Sequence, residues 1–169
     1  MSLDHLAGGA VNGAIFAIIA LAVPRFSRHI LAGVLVAAAA LYVWFALDAT
    51  TSPAWLAVEL AGVGLYGALA LRGVRGSAWW LVAGWALHPL WDVALHLVGP
   101  GNAFAPAWYA TACLTYDLVV AGYTALAIVV GTHLSDAPAA EPAPAAIPLP
   151  VAMSCTCSSS PAACGARAA

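Results

Sequence analysis

Residues 78–99, AWWLVAGWALHPLWDVALHLVG, decide the fold, because this apolar run is long enough to cross a lipid bilayer. The run contains no arginine or lysine, yet it places His88, Asp92 and His96 at intervals of four residues. Residues at that interval share one face of an α-helix. The stretch therefore predicts a transmembrane helix with a stripe of ionisable side chains.

The composition is that of an integral membrane protein. Of the 169 residues, 64% are hydrophobic and only 7% are charged, whereas a soluble domain carries roughly 25% charged residues. So few charges cannot cover a water-facing surface. The chain has no lysine and a net charge of −2, so it also lacks the basic surface that nucleic-acid binding requires.

The pattern of apolar runs predicts an all-α fold, a bundle of five transmembrane helices. Loops between the runs contain the turn formers glycine, proline, serine and asparagine, as in GPGNAFAP. We expect a transmembrane domain at 1–134 and a disordered tail, rich in alanine and proline, at 135–169. The predicted spans are residues 3–23, 30–47, 53–71, 77–98 and 107–134.

The arginines predict the orientation of the bundle. Arg25 and Arg28 follow the first span, and Arg72 and Arg75 follow the third. Since short arginine-rich loops stay in the cytoplasm, the N-terminus is expected outside and the C-terminus inside, in a multi-pass protein of the cell (inner) membrane. The start, MSLDH, has no positive charge, so we expect the first span to be retained rather than cleaved as a signal peptide.

The tail ends in a cluster of three cysteines, Cys155, Cys157 and Cys164. In the cytoplasm these thiols would stay reduced. They could hold a soft metal ion or accept a lipid. The alternative is that the cluster has no function.

Polar side chains within the spans gather in one layer, which runs from the middle of the membrane to its outer surface. With this orientation His88 and Asp117 lie near the midplane, Glu59 and Asp92 lie further out, and His96 lies near the outer interface. Each charge at mid-membrane costs about 2.5–3.5 kcal/mol on insertion scales. We therefore expect the groups to share one outward-facing cavity, lined by spans 1, 3, 4 and 5.

Two further features concern helix packing. Gly9 and Gly13 form a GxxxG pattern in the first span, which favours close contact with another helix. Pro89 removes a backbone donor beside His88 and should kink the fourth span. Such a kink either accompanies a binding cavity or serves packing alone.

The residue types suit a metal ion. His88 and Asp92 lie one turn apart and could share an ion with Glu59 or Asp117. Imidazole and carboxylate ligands suit zinc or iron. The sequence thus predicts a possible zinc or iron site for hydrolytic or redox chemistry on a lipidic substrate, although this spacing is less specific than an established metal motif.

His96 is expected to lie apart from that ion. In a regular α-helix His88 and His96 lie about 12 Å apart along the axis, too far to share one ion. The stripe also drifts by about 40° with each step of four residues, because one turn takes 3.6 residues. His96 would then recruit Asp48 or His5 near the outer surface, or serve as a further ligand of the same site.

The same groups permit a metal-free site. Histidine exchanges protons near neutral pH, so the site could isomerise or cyclise an isoprenoid-like lipid. Trp85, Trp91 and Tyr116 would then hold the ligand, since aromatic faces stabilise developing cations. Trp79 and Trp80 are more typical of an interfacial belt.

Other classes of function remain open. A transport or proton-relay pathway is disfavoured because the inner half of the bundle has almost no polar groups. The polar network could instead fix helix packing in a non-catalytic accessory subunit. Expected partners are membrane lipids and a hydrophobic small molecule, with a homo-oligomer or a membrane complex as further possibilities.

Glu59, HPLWDVALH at 88–96 and YDLVVAGY at 116–123 resemble a family of small bacterial membrane proteins of unknown function, over residues 1–134. The resemblance implies a helical membrane fold and no activity. The pairing of His88 with Asp92 is also similar to that in ceramidase-like intramembrane hydrolases of lipid amides. Those proteins have more spans and a different distribution of histidines, so this likeness is an analogy only.

Overall fold

The computed structural model describes residues 2–135, and every regular element in this range is a helix. The all-α class predicted from the sequence is therefore confirmed. Residues 136–169, with the predicted tail and its three cysteines, lie outside the described residues. The α-helices are α1 (Leu3–Ala22), α2 (Ser27–Asp48), α3 (Pro53–Arg75), α4 (Trp79–Trp91) and α5 (Ala107–Val129).

Short helical elements complete the chain. A 3₁₀ turn at Pro24–Phe26 joins α1 to α2, so α2 begins before the predicted second span. A π-helix at Asp92–Leu97 continues α4 without interruption, and a 3₁₀ turn at Pro100–Ala103 leads towards α5. The α5 helix ends at Val129, earlier than the predicted fifth span.

Four helical segments are long and apolar enough to cross a membrane, namely α1, α2 with its preceding turn, α3 and α5. The α4 helix has 13 residues, fewer than the roughly 17–25 that a crossing needs. The six-residue π-helix continues α4, and the two together, residues 79–97, are called the α4 rod. The chain is therefore a helical membrane protein, while the fifth crossing and the orientation stay predictions.

The helices pack mainly in three pairs, α1 with α5, α2 with α3, and α4 with α5, and α3 also contacts α4. Glycines permit the closest approach: a Cβ added to Gly9 would strike the carbonyl oxygen of Ala112 on α5, and one on Gly13 would lie 2.9 Å from that of Tyr116. Both glycines of the GxxxG pattern thus face α5. The largest fully buried apolar side chains of the core cluster are Trp85, Tyr66, Leu31, Leu35, Leu81 and Leu134.

One end of the bundle, here called the arginine end, joins three segments through Arg28. Its guanidinium donates hydrogen bonds to the carbonyl oxygens of Gly76, at 2.8 Å, and Leu134, at 2.7 Å. Arg72 lies over the ring of Trp80 at the same end, 5.2 Å from its centroid. Arginine loops after α1 and α3 therefore meet at one end, as a positive-inside arrangement requires.

Candidate metal centre

A buried histidine lies between two aspartates at the centre of the bundle. The Nδ1 atom of His88 is 2.9 Å from Oδ2 of Asp117 on α5 and 3.4 Å from Oδ2 of Asp92. All three side chains are fully buried. Asp92 lies one turn beyond His88 on the same rod, whereas Asp117 reaches the site only because α4 packs on α5.

The π-helix determines where His96 points. In an α-helix one turn takes 3.6 residues, so a step of four residues goes past a full turn. A π-helix has hydrogen bonds between residues five apart and a wider turn, so a step of four residues falls short of a full turn. The hydrogen bond from Val98 N–H to the Val93 carbonyl is of this wider kind. The angle about the helix axis from Asp92 to His96 is therefore opposite in sense to the angle from His88 to Asp92, and the two offset each other. The drift expected for a regular α-helix therefore does not apply to residues 92–97, and the side chains of His88, Asp92 and His96 are all buried. His96 is not one of the three residues that converge around His88.

His96 has an acidic partner of its own. Its Nε2 atom is 3.6 Å from Oε2 of Glu59 on α3, and both side chains are buried. Asp48 is instead exposed at the end of α2, and His5 lies on α1 beside a cavity. The structure thus forms two buried polar groups, one around His88 and one of His96 with Glu59.

Tyr42 on α2 connects the two groups, and the sequence reasoning missed it. Its ring stacks on His96 with centroids 3.8 Å apart and planes inclined by 8°, and it lies 6.2 Å from the ring of His88. A signal was present, because Tyr42 carries the one hydroxyl in the apolar run 30–47 of α2.

The predicted aromatic residues surround the site in different ways. Trp85 is fully buried and packs against Tyr116, with centroids 5.8 Å apart. Trp91 lies edge-on to Tyr66 at 6.2 Å, and Tyr66 is itself edge-on to His88 at 4.8 Å. Tyr66 is thus the aromatic residue whose ring comes nearest to the His88 ring.

Many polar atoms of the site have no hydrogen-bond partner among the described residues. Burying an unpaired polar atom is costly, so a cluster of them indicates that the site holds water, an ion or a ligand. The atoms are Tyr42 Oη, Glu59 Oε1, His88 Nε2, both oxygens of the Asp92 carboxylate, both ring nitrogens of His96, and Asp117 Oδ1.

The group around His88 fits a metal ion. One ligand atom from each of His88, Asp92 and Asp117 lies within 4.8 Å of the others. For metal–ligand bonds of 2.0–2.2 Å, two ligands of a tetrahedral site lie about 3.4 Å apart. The observed separations of 2.9 Å and 3.4 Å are close to that value. One nitrogen and two carboxylate oxygens are ligands that zinc and iron accept.

A cavity of about 410 Å³ adjoins the site at Asp117. The expected shared cavity is not formed, because His88, Asp92, Glu59 and His96 are not among its lining residues. It lies between α1, α2 and α5, and Asp117 and Cys113 form part of its lining. The expected cavity had α3 and α4 in its walls; the observed one has α2 instead. The difference follows from packing, since α1 lies along α5 and diverges from α2.

Fold and site define a helical membrane protein with a buried histidine–aspartate cluster. The chain belongs to a family of unknown function, DUF6010, whose model matches residues 5–130. That range contains all the residues of the site. The chain matches no curated protein and no solved structure.

Proposed function

We propose that this protein binds one zinc or iron ion through His88, Asp92 and Asp117 and uses it to hydrolyse a lipidic substrate. The observation that carries the proposal is the convergence of three fully buried ligand atoms within 4.8 Å, contributed by helices that are separate in sequence. A metal ion would also account for their incomplete hydrogen bonding.

Charge supports a divalent ion in this position. The cluster contains two carboxylates with no arginine or lysine in the α4 rod. Ionised carboxylates in a bilayer are costly unless they are paired or coordinate a metal. A divalent cation would balance both charges and leave neutral histidine as the third ligand.

His88, Asp92 and Asp117 would hold the ion, and three protein ligands are the number found in catalytic zinc sites. An ion held there would supply a water activated for hydrolysis at neutral pH. In hydrolysis its oxygen bonds to the acyl carbon of an ester or amide, the bond to the alcohol or amine breaks, and the water proton ends on that leaving group. No oxidant or reductant is required.

A second candidate function is metal-free acid–base catalysis on an isoprenoid-like lipid. It is favoured by the 2.9 Å contact between His88 Nδ1 and Asp117, which orients the imidazole and leaves Nε2 unpaired. An oriented imidazole can pass a proton to or from a substrate. Tyr66, edge-on to His88 at 4.8 Å, would line such a site.

Metal analysis of the full-length protein, purified in detergent without chelator, tests the proposal. We expect about one zinc or iron ion per chain in the wild type, and at least a tenfold loss in His88→Ala. Asp92→Asn and Asp117→Asn should lower occupancy, because the amide keeps the shape but not the charge. His29→Ala is the matched control, since His29 is exposed on α2.

The tail thiols need separate treatment. A variant with Cys155, Cys157 and Cys164 all changed to serine should keep the ion of the membrane site. A folded wild-type protein without metal, or metal that disappears with the cysteines alone, would contradict the proposal. Turnover of an isoprenoid by that metal-free protein would favour the acid–base alternative.

A further inference from the structure

Two turns at the arginine end lie side by side and bring their arginines together. Arg25 lies in the turn between α1 and α2, and Arg72 and Arg75 lie in the last turn of α3. The 2.8 Å hydrogen bond from the Arg28 guanidinium to the Gly76 carbonyl joins the two turns. The exposed arginines of this end, Arg25, Arg72 and Arg75, are here called the arginine surface.

Acidic side chains do not balance this surface within the described part of the chain. No ion pair among the described residues includes Arg25, Arg72 or Arg75. Three positive charges on one surface attract an anionic partner. The acidic residues of the described range are Asp4 and Asp48 at the opposite end, and Glu59, Asp92 and Asp117 in the buried polar groups.

Exposed aromatic rings beside the arginines indicate what kind of anion this is. The guanidinium of Arg25 lies 5.7 Å from the ring centroid of Phe26, and that of Arg72 lies 5.2 Å from the ring centroid of Trp80. Phe26 is 56% exposed and Trp80 is 42% exposed. Apolar spans end at this level, and tryptophan rings at the ends of spans are typical of the headgroup region of a bilayer. The partner is therefore part of a lipid surface.

We propose that the arginine surface binds the phosphate groups of anionic phospholipids, such as phosphatidylglycerol. The N–H donors of a guanidinium lie in one plane and suit paired hydrogen bonds to phosphate oxygens. Basic clusters at the ends of transmembrane helices bind acidic headgroups in this way. The arginine surface contains no residue of the His88 cluster, so the inference goes beyond the proposed function and requires no metal.

Native mass spectrometry of the full-length protein in detergent tests the inference. Phosphatidylglycerol and phosphatidylcholine with the same acyl chains are added in equal amounts. We expect the wild type to bind phosphatidylglycerol about tenfold more strongly, since each arginine near an anionic headgroup favours it by about fivefold. Added salt should reduce this preference, because salt screens exposed charges. Equal binding of the two lipids by the wild type would overturn the inference, whatever the variants show.

Single substitutions show whether the preference comes from this surface. Arg25→Gln and Arg75→Gln should each lower the binding of phosphatidylglycerol about fivefold and leave that of phosphatidylcholine unchanged. Both side chains are exposed, so the unfolding temperature should stay that of the wild type. Arg167→Gln is the matched control, since it removes the same charge from the tail, and it should bind like the wild type. An equal loss in Arg167→Gln and Arg75→Gln would overturn the assignment to the arginine surface.

Two further measurements on the same samples complete the test. Glycerol 3-phosphate, which has the phosphate but no acyl chains, should not displace the lipid at equal concentration, and displacement would overturn a lipid as the partner. Metal content separates the inference from the proposed function. A metal-free wild type that prefers phosphatidylglycerol keeps the lipid surface and refutes the metal proposal. A metal-loaded wild type without the preference does the reverse.

Discussion

At the scale of single residues, the position of His88 between two aspartates controls the chemistry. With one imidazole nitrogen facing Asp92 and Asp117, either a metal ion or a proton can balance the negative charge. Placing these groups next to one another makes their burial tolerable, since each alone in lipid would be costly. His96 and Glu59 likewise lie next to each other, which lowers the cost of burying both. The stacked ring of Tyr42 limits the movement of His96.

Gly101 lies close to His96, and this close approach can be tested by substitution. A Cβ at Gly101 would lie 2.6 Å from Nδ1 of His96 and 2.7 Å from the backbone oxygen of Leu95. Because the backbone cannot yield, Gly101→Ala should lower the free energy of unfolding by about 1–3 kcal/mol, as overpacking does. Thermal unfolding in detergent, followed by tryptophan fluorescence, measures the effect.

The control for this substitution is Gly122→Ala on α5, where an added Cβ meets nothing within 4 Å. Alanine in an open helical position should leave stability unchanged or raise it slightly. If Gly101→Ala unfolded at the same temperature as Gly122→Ala, the close approach of this turn to His96 would be refuted.

At the scale of elements, the α4 rod changes its helical type within the site. The rod passes from α to π at Asp92, directly after the turn that contains Pro89. This proline cannot donate a backbone hydrogen bond, and π-helical turns are often found at functional sites. The wider turn brings His96 back to the face of His88 and Asp92, so a local change in backbone geometry builds the polar layer.

The contact of α1 with α5 is tightest at Gly9. A Cβ at Gly9 would collide with the carbonyl oxygen of Ala112 and lie close to Oγ1 of Thr115. We therefore expect Gly9→Ala to separate the two helices and to destabilise the protein by about 1–3 kcal/mol. The unfolding temperature in detergent is again the measurement.

The neighbouring Gly8→Ala is the control for Gly9→Ala, because it changes the same helix where nothing lies within 4 Å of an added Cβ. Its unfolding temperature should match or slightly exceed that of the wild type. A Gly9→Ala protein as stable as Gly8→Ala would show that α1 does not pack on α5 through this face.

At the scale of the whole molecule, the bundle has two unlike ends. The arginine end carries the loops after α1 and α3, joined through Arg28 to Gly76 and Leu134. The polar layer lies from the middle of the bundle towards the other end, where α3 and α5 begin. This asymmetry matches a cytoplasmic arginine end and a site nearer the outer surface.

Cysteine accessibility tests that orientation and the fifth crossing together. In a variant without the native cysteines, Asn102→Cys in the turn before α5 should react with an impermeant thiol reagent on intact cells. Ser77→Cys at the arginine end should react only after the membrane is opened. The opposite pattern would reverse the orientation, and labelling of both from outside would mean that the α4 rod does not cross.

Much of the site was predictable because the cost of burying charge is independent of the fold. Membrane-spanning runs that contain His88, Asp92 and Asp117 must place these side chains next to one another or next to a ligand. The sequence alone therefore predicts them as residues of the site. The cost of burying charge does not predict Tyr42, because tyrosine is uncharged and common in apolar helices. Its contact with His96 depends on how α2 packs.

The amino-acid sequence by itself determined the class of helical membrane protein, because long hydrophobic runs with scarce charges are typical of helices that cross a membrane. It also determined which side chains cannot lie alone in lipid. Only the tertiary structure decided that α2, and not α3 and α4, lines the cavity and that Glu59 pairs with His96. It also decided that a π-helix changes the direction of His96 relative to His88 and Asp92. These features depend on crossing contacts between helices and on a local change of helical pitch, and neither has a periodic signature in the sequence.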